Sequence, residues 1–259
     1  MAERKPQMYI LSTDTAAKTA SVCVSKYNDG ILKPLVYSTV NGTLTHSESL
    51  LPMIDFCLKN ANITFNDIEM AAISTGPGSF TGVRIGVATI KGLTFTKPDT
   101  SCVGVSALEA LAYNLDSYPP GSILLPVMDA RRNQFYNAAF SFTKSGKLKR
   151  YYEDDLSDFD NIISVISEKF AGKKIILTGD GAELFYSLYQ KKCDGTLNIN
   201  LCGYAQMYED AFSVAKCAVN VFEHTSDKTV FTSEKLVPVY LRASQAERER
   251  NEKLQNESK

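Results

Sequence analysis

Met8-Tyr9-Ile10-Leu11-Ser12-Thr13-Asp14-Thr15 and Ile123-Leu124-Leu125-Pro126-Val127-Met128-Asp129-Ala130 follow one pattern, an apolar strand that halts at an aspartate. The likeness extends outward from both. After the first, Ala20–Ser25 alternates through Val22 and Val24, Tyr27-Asn28-Asp29-Gly30 carries an Asp-Gly turn signal, and Ile31–Val40 reads as a third strand. After the second, Gln134–Phe142 alternates, Lys144-Ser145-Gly146-Lys147 turns, and Leu148–Tyr152 returns. Further on, His46–Asn60 has helical spacing at Leu50, Ile54, Cys57 and Ala61. A strand over Met70–Ser74 then meets Gly76-Pro77-Gly78 and a helix from Phe80 to Phe95. The second half repeats this order. Asp158–Phe170 is helical through Ile162, Val165, Ile166 and Lys169, and strand Lys174–Leu177 meets Gly179-Asp180-Gly181 and a helix from Ala182.

Two tandem βββαβα units, each a ribonuclease H-like lobe, predict an α/β protein with the duplicated actin-like (ASKHA) fold. The first lobe is expected over 1–105 together with an amphipathic helix over Gln206–Phe222, whose Met207, Ala211, Val214, Ala215, Ala218, Val219 and Phe222 share one face. That helix, within about 206–224, should pack back onto one lobe. The second lobe is expected over 106–205, and 225–259 is a C-terminal extension ending in a charge-alternating solvated tail from Ser244. In such folds a small-residue turn aims N–H groups at phosphate while its aspartate holds a hydrated divalent metal. Asp14-Thr15-Ala16-Ala17-Lys18-Thr19 and Asp129-Ala130-Arg131-Arg132 could form such turns, or the aspartates could simply cap them. The enzyme alternative is a small-molecule kinase using Asp14 as metal anchor and Asp129 as base. Gly179-Asp180-Gly181 is short for an adenosine-binding motif, and Arg131-Arg132 is unusual beside such a base, so both count against it.

Composition narrows the classes. Across 259 residues, 28 Lys+Arg balance 29 Asp+Glu, which excludes a polybasic nucleic-acid binder. No apolar run approaches the ~20 residues of a membrane span, and Met1–Gln7 is polar, so a cytoplasmic chain is expected. The six cysteines form no Cys-x-x-Cys pair and read as reduced buried thiols. His46 and His224 stand at no ligand spacing to a cysteine, arguing against zinc. A serine protease would have only those two histidines as base, and no cysteine has the flanks of a nucleophile.

Ile73-Ser74-Thr75-Gly76-Pro77-Gly78-Ser79-Phe80-Thr81-Gly82-Val83-Arg84-Ile85-Gly86 is no P-loop, because Val83-Arg84 stands where Lys-Ser/Thr is required. Gly76-Pro77-Gly78 is a rigid turn and Ser79 an N-cap. Inside the helix, Gly82, Gly86 and Thr89 share a face, and interior glycines at 82, 86 and 92 each cost ~1 kcal/mol against alanine. Such a helix lets another backbone come close, either a strand of its own lobe or a helix of another molecule.

This stretch through Leu93 resembles the signature of the bacterial TsaB (YeaZ) family. Four further segments do so too: His46–Pro52, Gly104–Ala112, Pro126–Arg132 and Tyr240–Glu247. The resemblance, from about residue 8 to 250, implies the two-lobed actin-like fold and a non-catalytic paralogue of the catalytic subunit TsaD. With the ATPase TsaE, these proteins transfer threonylcarbamoyl from threonylcarbamoyl-AMP to N6 of the adenosine beside the anticodon in tRNA. Implied partners are a TsaD-type subunit, a TsaE-type ATPase and, in isolation, a second copy; tRNA is reached only through the complex. No cofactor of the chain's own is implied, ATP or ADP belonging to the subunit junction. The catalytic relatives carry a metal-binding His-x-x-x-His pair, which falls here on Ala107 and Leu111, flanking Glu109; neither can ligate. The old glycoprotease (peptidase M22) label therefore finds no support in these residues.

The resemblance places the subunit contact on the helices His46–Asn60 and Phe80–Phe95, at His46, Glu48, Leu50, Leu51, Ile54, Gly82, Arg84 and Gly86. Leu50, Leu51, Ile54 and Leu58 exceed one core-facing stripe, so some need cover outside the lobe. On this reading His46 is an interface or capping residue, and Gly86→Leu should abolish pairing while leaving the fold intact.

Overall fold

The computed structural model describes residues 7–42, 45–193 and 195–242. Strands β1 (Met8–Asp14), β2 (Ala20–Asn28) and β3 (Ile31–Val40) form the first meander. Its β2–β3 turn has Asp29 at φ 52° and Gly30 at φ 81°, the left-handed pair that a two-residue hairpin loop requires. Helix α1 (His46–Asn60), strand β4 (Ile68–Gly76), helix α2 (Phe80–Thr94), strand β5 (Ser101–Ser106) and helix α3 (Ala107–Tyr113) follow. The second half comprises β6 (Ile123–Asp129), β7 (Gln134–Phe142), β8 (Leu148–Asp158), α4 (Phe159–Phe170), β9 (Lys174–Thr178), α5 (Ala182–Lys192), β10 (Asn198–Leu201) and α6 (Ala211–His224). The sheets run β3-β2-β1-β4-β5 and β10-β9-β6-β7-β8, the same order twice. In each, the aspartate strand is central, antiparallel to its hairpin partner and parallel to the strand after the first helix. This is the duplicated actin-like arrangement the repeat predicts.

Two edge strands, β5 and β10, have no counterpart in the sequence reading. Each is short and pairs parallel with its neighbour across a crossover, leaving no local hairpin signal. The helix read over Gln206–Phe222 starts at Ala211. Asp210 caps it through Oδ1, which accepts the Phe212 and Ser213 N–H groups at 2.6 and 3.3 Å. Tyr204–Gln206 is a separate 3₁₀ turn, and Met207 lies buried ahead of the helix.

The helix after each edge strand crosses over. α3 packs on β6 and β7 of the second sheet, while α6 packs on β1, β2, β4 and β5 of the first, and the two helices touch. The lobes are thereby held together as one body. Past α6 the chain returns along the first lobe, where Cys102 N–H donates to Phe231 O (2.9 Å) and Val239 N–H to Thr75 O (2.8 Å). The charge-alternating stretch from Ser244 lies outside the described residues. None of the six cysteines is in a disulfide, and burial pushes the Cys23 thiol up to about 12. No described helix is long and apolar enough to cross a membrane.

Candidate functional site

β1 delivers Asp14 to the end of the first sheet, where the carboxyl is fully buried. Its Oδ1 accepts the Ala16 N–H at 2.8 Å, and its Oδ2 is buried without a hydrogen-bond partner. Burial pushes its pKa up to about 6, opposed by the Ala16 N–H and reinforced by the charge of Asp210. The turn beyond it is clamped from two sides. Ser79 N–H donates to Ala16 O (2.6 Å) and Thr15 Oγ1–H to Gly82 O (2.8 Å). His46 Nε2–H donates to Ala17 O at 2.7 Å.

β6 delivers Asp129 to the matching place in the second lobe, and its Oδ1 accepts the Arg131 N–H at 2.8 Å. The same local bond therefore forms twice. This turn is more open: Arg131, Arg132 and Asn133 take left-handed φ values of 65°, 57° and 59° in succession. Arg131 Nη1 lies 3.6 Å from Asp129 Oδ2, and the Asp129 N–H donates to Asp180 Oδ1 at 3.0 Å. Burial raises the Asp180 carboxyl, as does the Asp129 charge; the Asp129 N–H, Lys18 and Arg131 hold it down.

A cleft of about 440 Å³ opens between the two turns. Ala16, Ala17 and Lys18 line one side, Asp129 to Arg132 and Asp180 the other, and Val239 to Arg242 border it as well. Glu209, just ahead of α6, is 2% exposed and neither carboxylate oxygen has a partner. Burial holds its pKa well above the usual range, and the charges of Asp180 and Asp14 push the same way. Sequence reading passed over Glu209, since Tyr208-Glu209-Asp210 looks like an ordinary acidic helix start. It also missed the return of Tyr240–Arg242 to the cleft; those residues served only as part of a motif.

Ala107 and Leu111 are 0% and 1% exposed, sealed in the core. Two alkyl groups there cannot ligate a metal. Glu109 is committed elsewhere, its Oε2 accepting Arg150 Nη2–H at 2.8 Å.

The eight residues placed on the partner surface divide. Leu50 and Ile54 are 1% and 3% exposed, members of the first lobe's core, so they cannot meet a partner. Gly82 and Gly86 are also internal. A Cβ on Gly82 would stand 2.1 Å from Thr15 O, and one on Gly86 2.5 Å from both Ile73 Cδ1 and Thr15 Oγ1. Their missing side chains admit the lobe's own β1 turn and β4, which corrects the expectation that they admit another molecule. His46 is half-buried in its clamp on Ala17, and Glu48 is an exposed cap whose Oε2 accepts Thr45 N–H at 3.0 Å. Leu51, 52% exposed, and Arg84 do face outward. Phe56 and Phe95, 51% and 85% exposed, join them, as does Gly92, around which an added Cβ meets nothing within 4 Å.

These elements define a duplicated actin-like protein whose interlobe cleft has an aspartate turn on either side and no histidine pair beside it. Residues 42–257 match the family model described as TsaD: tRNA N6-adenosine threonylcarbamoyltransferase. The chain is 26% identical over 250 residues to the tRNA threonylcarbamoyladenosine biosynthesis protein TsaB of Bacillus subtilis, covering 93% of this chain and 96% of that one. It is 32% identical over 174 residues to the protein of the same name from Buchnera aphidicola of Schizaphis graminum, covering 66% and 78%. YeaZ from Pseudomonas aeruginosa superposes with a TM-score of 0.71 at 21% identity, over 90% of this chain and 100% of that one. The chain belongs to the TsaB (YeaZ) family.

Proposed function

We propose that this chain acts in tRNA threonylcarbamoyladenosine biosynthesis as a non-catalytic subunit. It pairs with a TsaD-type subunit, which with a TsaE-type ATPase modifies N6 of the adenosine beside the anticodon. The observation that carries the reading is the pair Ala107 and Leu111: a member of this family with those two positions apolar and buried has nothing with which to hold the catalytic metal. ATP or ADP belongs to the junction with the partner, and tRNA is met through the complex in the cytoplasm.

The pairing surface in this reading is the outward side of α1 and α2, carrying Leu51, Phe56, Arg84 and Gly92, with Phe95 at the C-cap of α2. Exposed apolar groups on neighbouring helices are a liability in a lone molecule and an asset in an assembly. The same surface serves a second copy when the partner is absent. Native mass spectrometry of the chain with a TsaD-type subunit is the test. Leu51→Glu and Gly92→Leu should each weaken the heterodimer by about tenfold or more, at ~1.4 kcal/mol per decade, with circular dichroism unchanged. Undiminished pairing in both variants would remove this surface from the proposal, and tRNA modification by the chain alone would remove the non-catalytic role.

The kinase alternative is not favoured. Asp14 is fully buried with Oδ1 taken by its own turn, so one oxygen remains for a metal and none of it faces solvent.

A further inference from the structure

The segment after α6 is rooted in the first lobe. Leu236 is 4% exposed, Lys91 Nζ–H reaches Glu234 O at 3.4 Å, and Val239 N–H donates to Thr75 O at 2.8 Å. Val239 O occupies the space of a missing Cβ on Gly76, 2.4 Å from where that atom would stand, and Gly76 has φ 117°. The root is therefore built into the turn between β4 and α2.

The tip is bound differently. The Tyr240 ring lies 4.8 Å from Phe80, and the Arg84 guanidinium stacks 3.8 Å over Phe80 while its Nε–H donates to Tyr240 Oη at 2.7 Å. Arg84 belongs to the outward side of α2. Two residues on, Arg242 reaches the second lobe, where Nη1–H donates to Ala130 O at 2.6 Å in the Asp129 turn. Arg84, Tyr240, Arg242 and Ala130 thus form a chain of contacts from an exposed helix face, along the mouth of the cleft, to the opposite lobe. It bypasses α3 and α6, which join the lobes elsewhere.

We propose that residues 240–242 form a releasable latch that couples the outward side of α2 to the Asp129 turn. A group that engages Arg84 at the helix surface takes it from Tyr240. The strap tip is then loosened, Arg242 leaves the Ala130 carbonyl, and the cleft mouth is free to widen. Root and tip differ in the way this requires: the root is anchored by the buried Leu236 side chain and paired through main chain at Val239, while the tip is held by side chains near solvent. Both ends lie in this one chain, so the latch stands or falls independently of the partner assignment.

Amide hydrogen exchange on the full chain, read by mass spectrometry, tests it. Ala130, Arg131 and Gln134 N–H groups are all bonded within the Asp129 turn, so its opening is visible there. Arg242→Gln should raise exchange over 129–134 about tenfold, the factor expected from losing a charge-assisted hydrogen bond. Arg84→Gln should raise exchange over the same far-lobe residues several-fold, while the amides of α2 keep their protection. Tyr240→Phe keeps the ring stack and removes only the hydroxyl; it should act like Arg84→Gln, and gives the reading if that variant disturbs the helix. Unchanged exchange at 129–134 in Arg242→Gln overturns the latch. A response confined to α2 and the strap in both Arg84→Gln and Tyr240→Phe overturns the coupling.

Discussion

The two aspartate turns share a topology, a sheet position and an internal bond, yet they are different objects. Asp14 is fully buried beneath α2, with Gly82 and Gly86 admitting its turn into the helix, and its pKa rises to about 6. Asp129 borders the cleft in an ion pair with Arg131, at a turn with three successive left-handed residues. The helix after the second glycine turn, α5, packs Ala182, Phe185 and Tyr189 inward and has no interior glycine. Duplicating a βββαβα unit therefore copies the strands and their order, but not the environment at their ends. That environment is set by whichever helix covers the turn and how closely it approaches.

The sharpest way to break this contrast is through the close approach itself. Gly86→Leu must displace Ile73 and the Thr15 hydroxyl, and overpacking plus the broken turn should cost ~3 kcal/mol or more. The variant should unfold at least ~6 °C below wild type or fail to express. A well-folded Gly86→Leu protein would mean that α2 can lift away from the turn. Gly92→Ala is the control on the same helix: its Cβ enters open space, so stability should rise by up to ~1 kcal/mol.

Asp14 supplies the next test. Its folded-state pKa of about 6 lies above the unfolded carboxylate's, so the native state holds its proton more tightly. The stability tied to that proton is fully present below pH ~4 and is lost as the pH rises through about 6, by about 2–3 kcal/mol. Asp14→Asn keeps an oxygen to accept the Ala16 N–H and removes the charge. It should melt higher than wild type at pH 8, with the gap closing at pH 4, as read by thermal unfolding at both pH values. An Asp14→Asn protein with no gain over wild type at pH 8 would show that burial does not hold that carboxyl above its ordinary range.

The smallest effect concerns the second turn alone. A non-glycine residue in the left-handed region costs about 1 kcal/mol. Arg132→Gly should therefore add a few tenths to 1 kcal/mol at a site where φ is 57°. Chemical denaturation would detect it, and a loss of stability would show that the Arg132 side chain does more for the turn than its backbone costs.

Much of this is legible in the sequence itself. Strands bounded by Asp-Gly, Lys-Ser-Gly-Lys and glycine turns, and helices with apolar residues three and four apart, are written in local periodicity, which is why β1 to β4, β6, β7 and β9 fall close to where the pattern puts them, while β8 starts as read and runs on past Tyr152 to Asp158. Ala107 and Leu111 cannot ligate a metal by residue type alone, although only the family resemblance points to those two positions. Local pattern does not say which neighbour a glycine admits. Gly82 and Gly86 fit an intermolecular contact as well as an internal one until Thr15 and Ile73 are found against them. The spacing of Leu50, Ile54 and Cys57 already sets Leu50 apart from Leu51, but that Ile54 and Leu50 are wholly enclosed by their own lobe, with nothing left for a partner, is decided by how α1 lies on its sheet. Glu209 and Arg242 sit in unremarkable sequence, and both acquire their surroundings from segments distant in the chain: Glu209 is buried within reach of the charges of Asp180 and Asp14, and Arg242 meets the Ala130 carbonyl. Periodicity reports how a segment sees an average core; burial, orphaned oxygens and bridges between lobes depend on contacts between residues far apart in sequence, and those exist only once the chain has closed on itself.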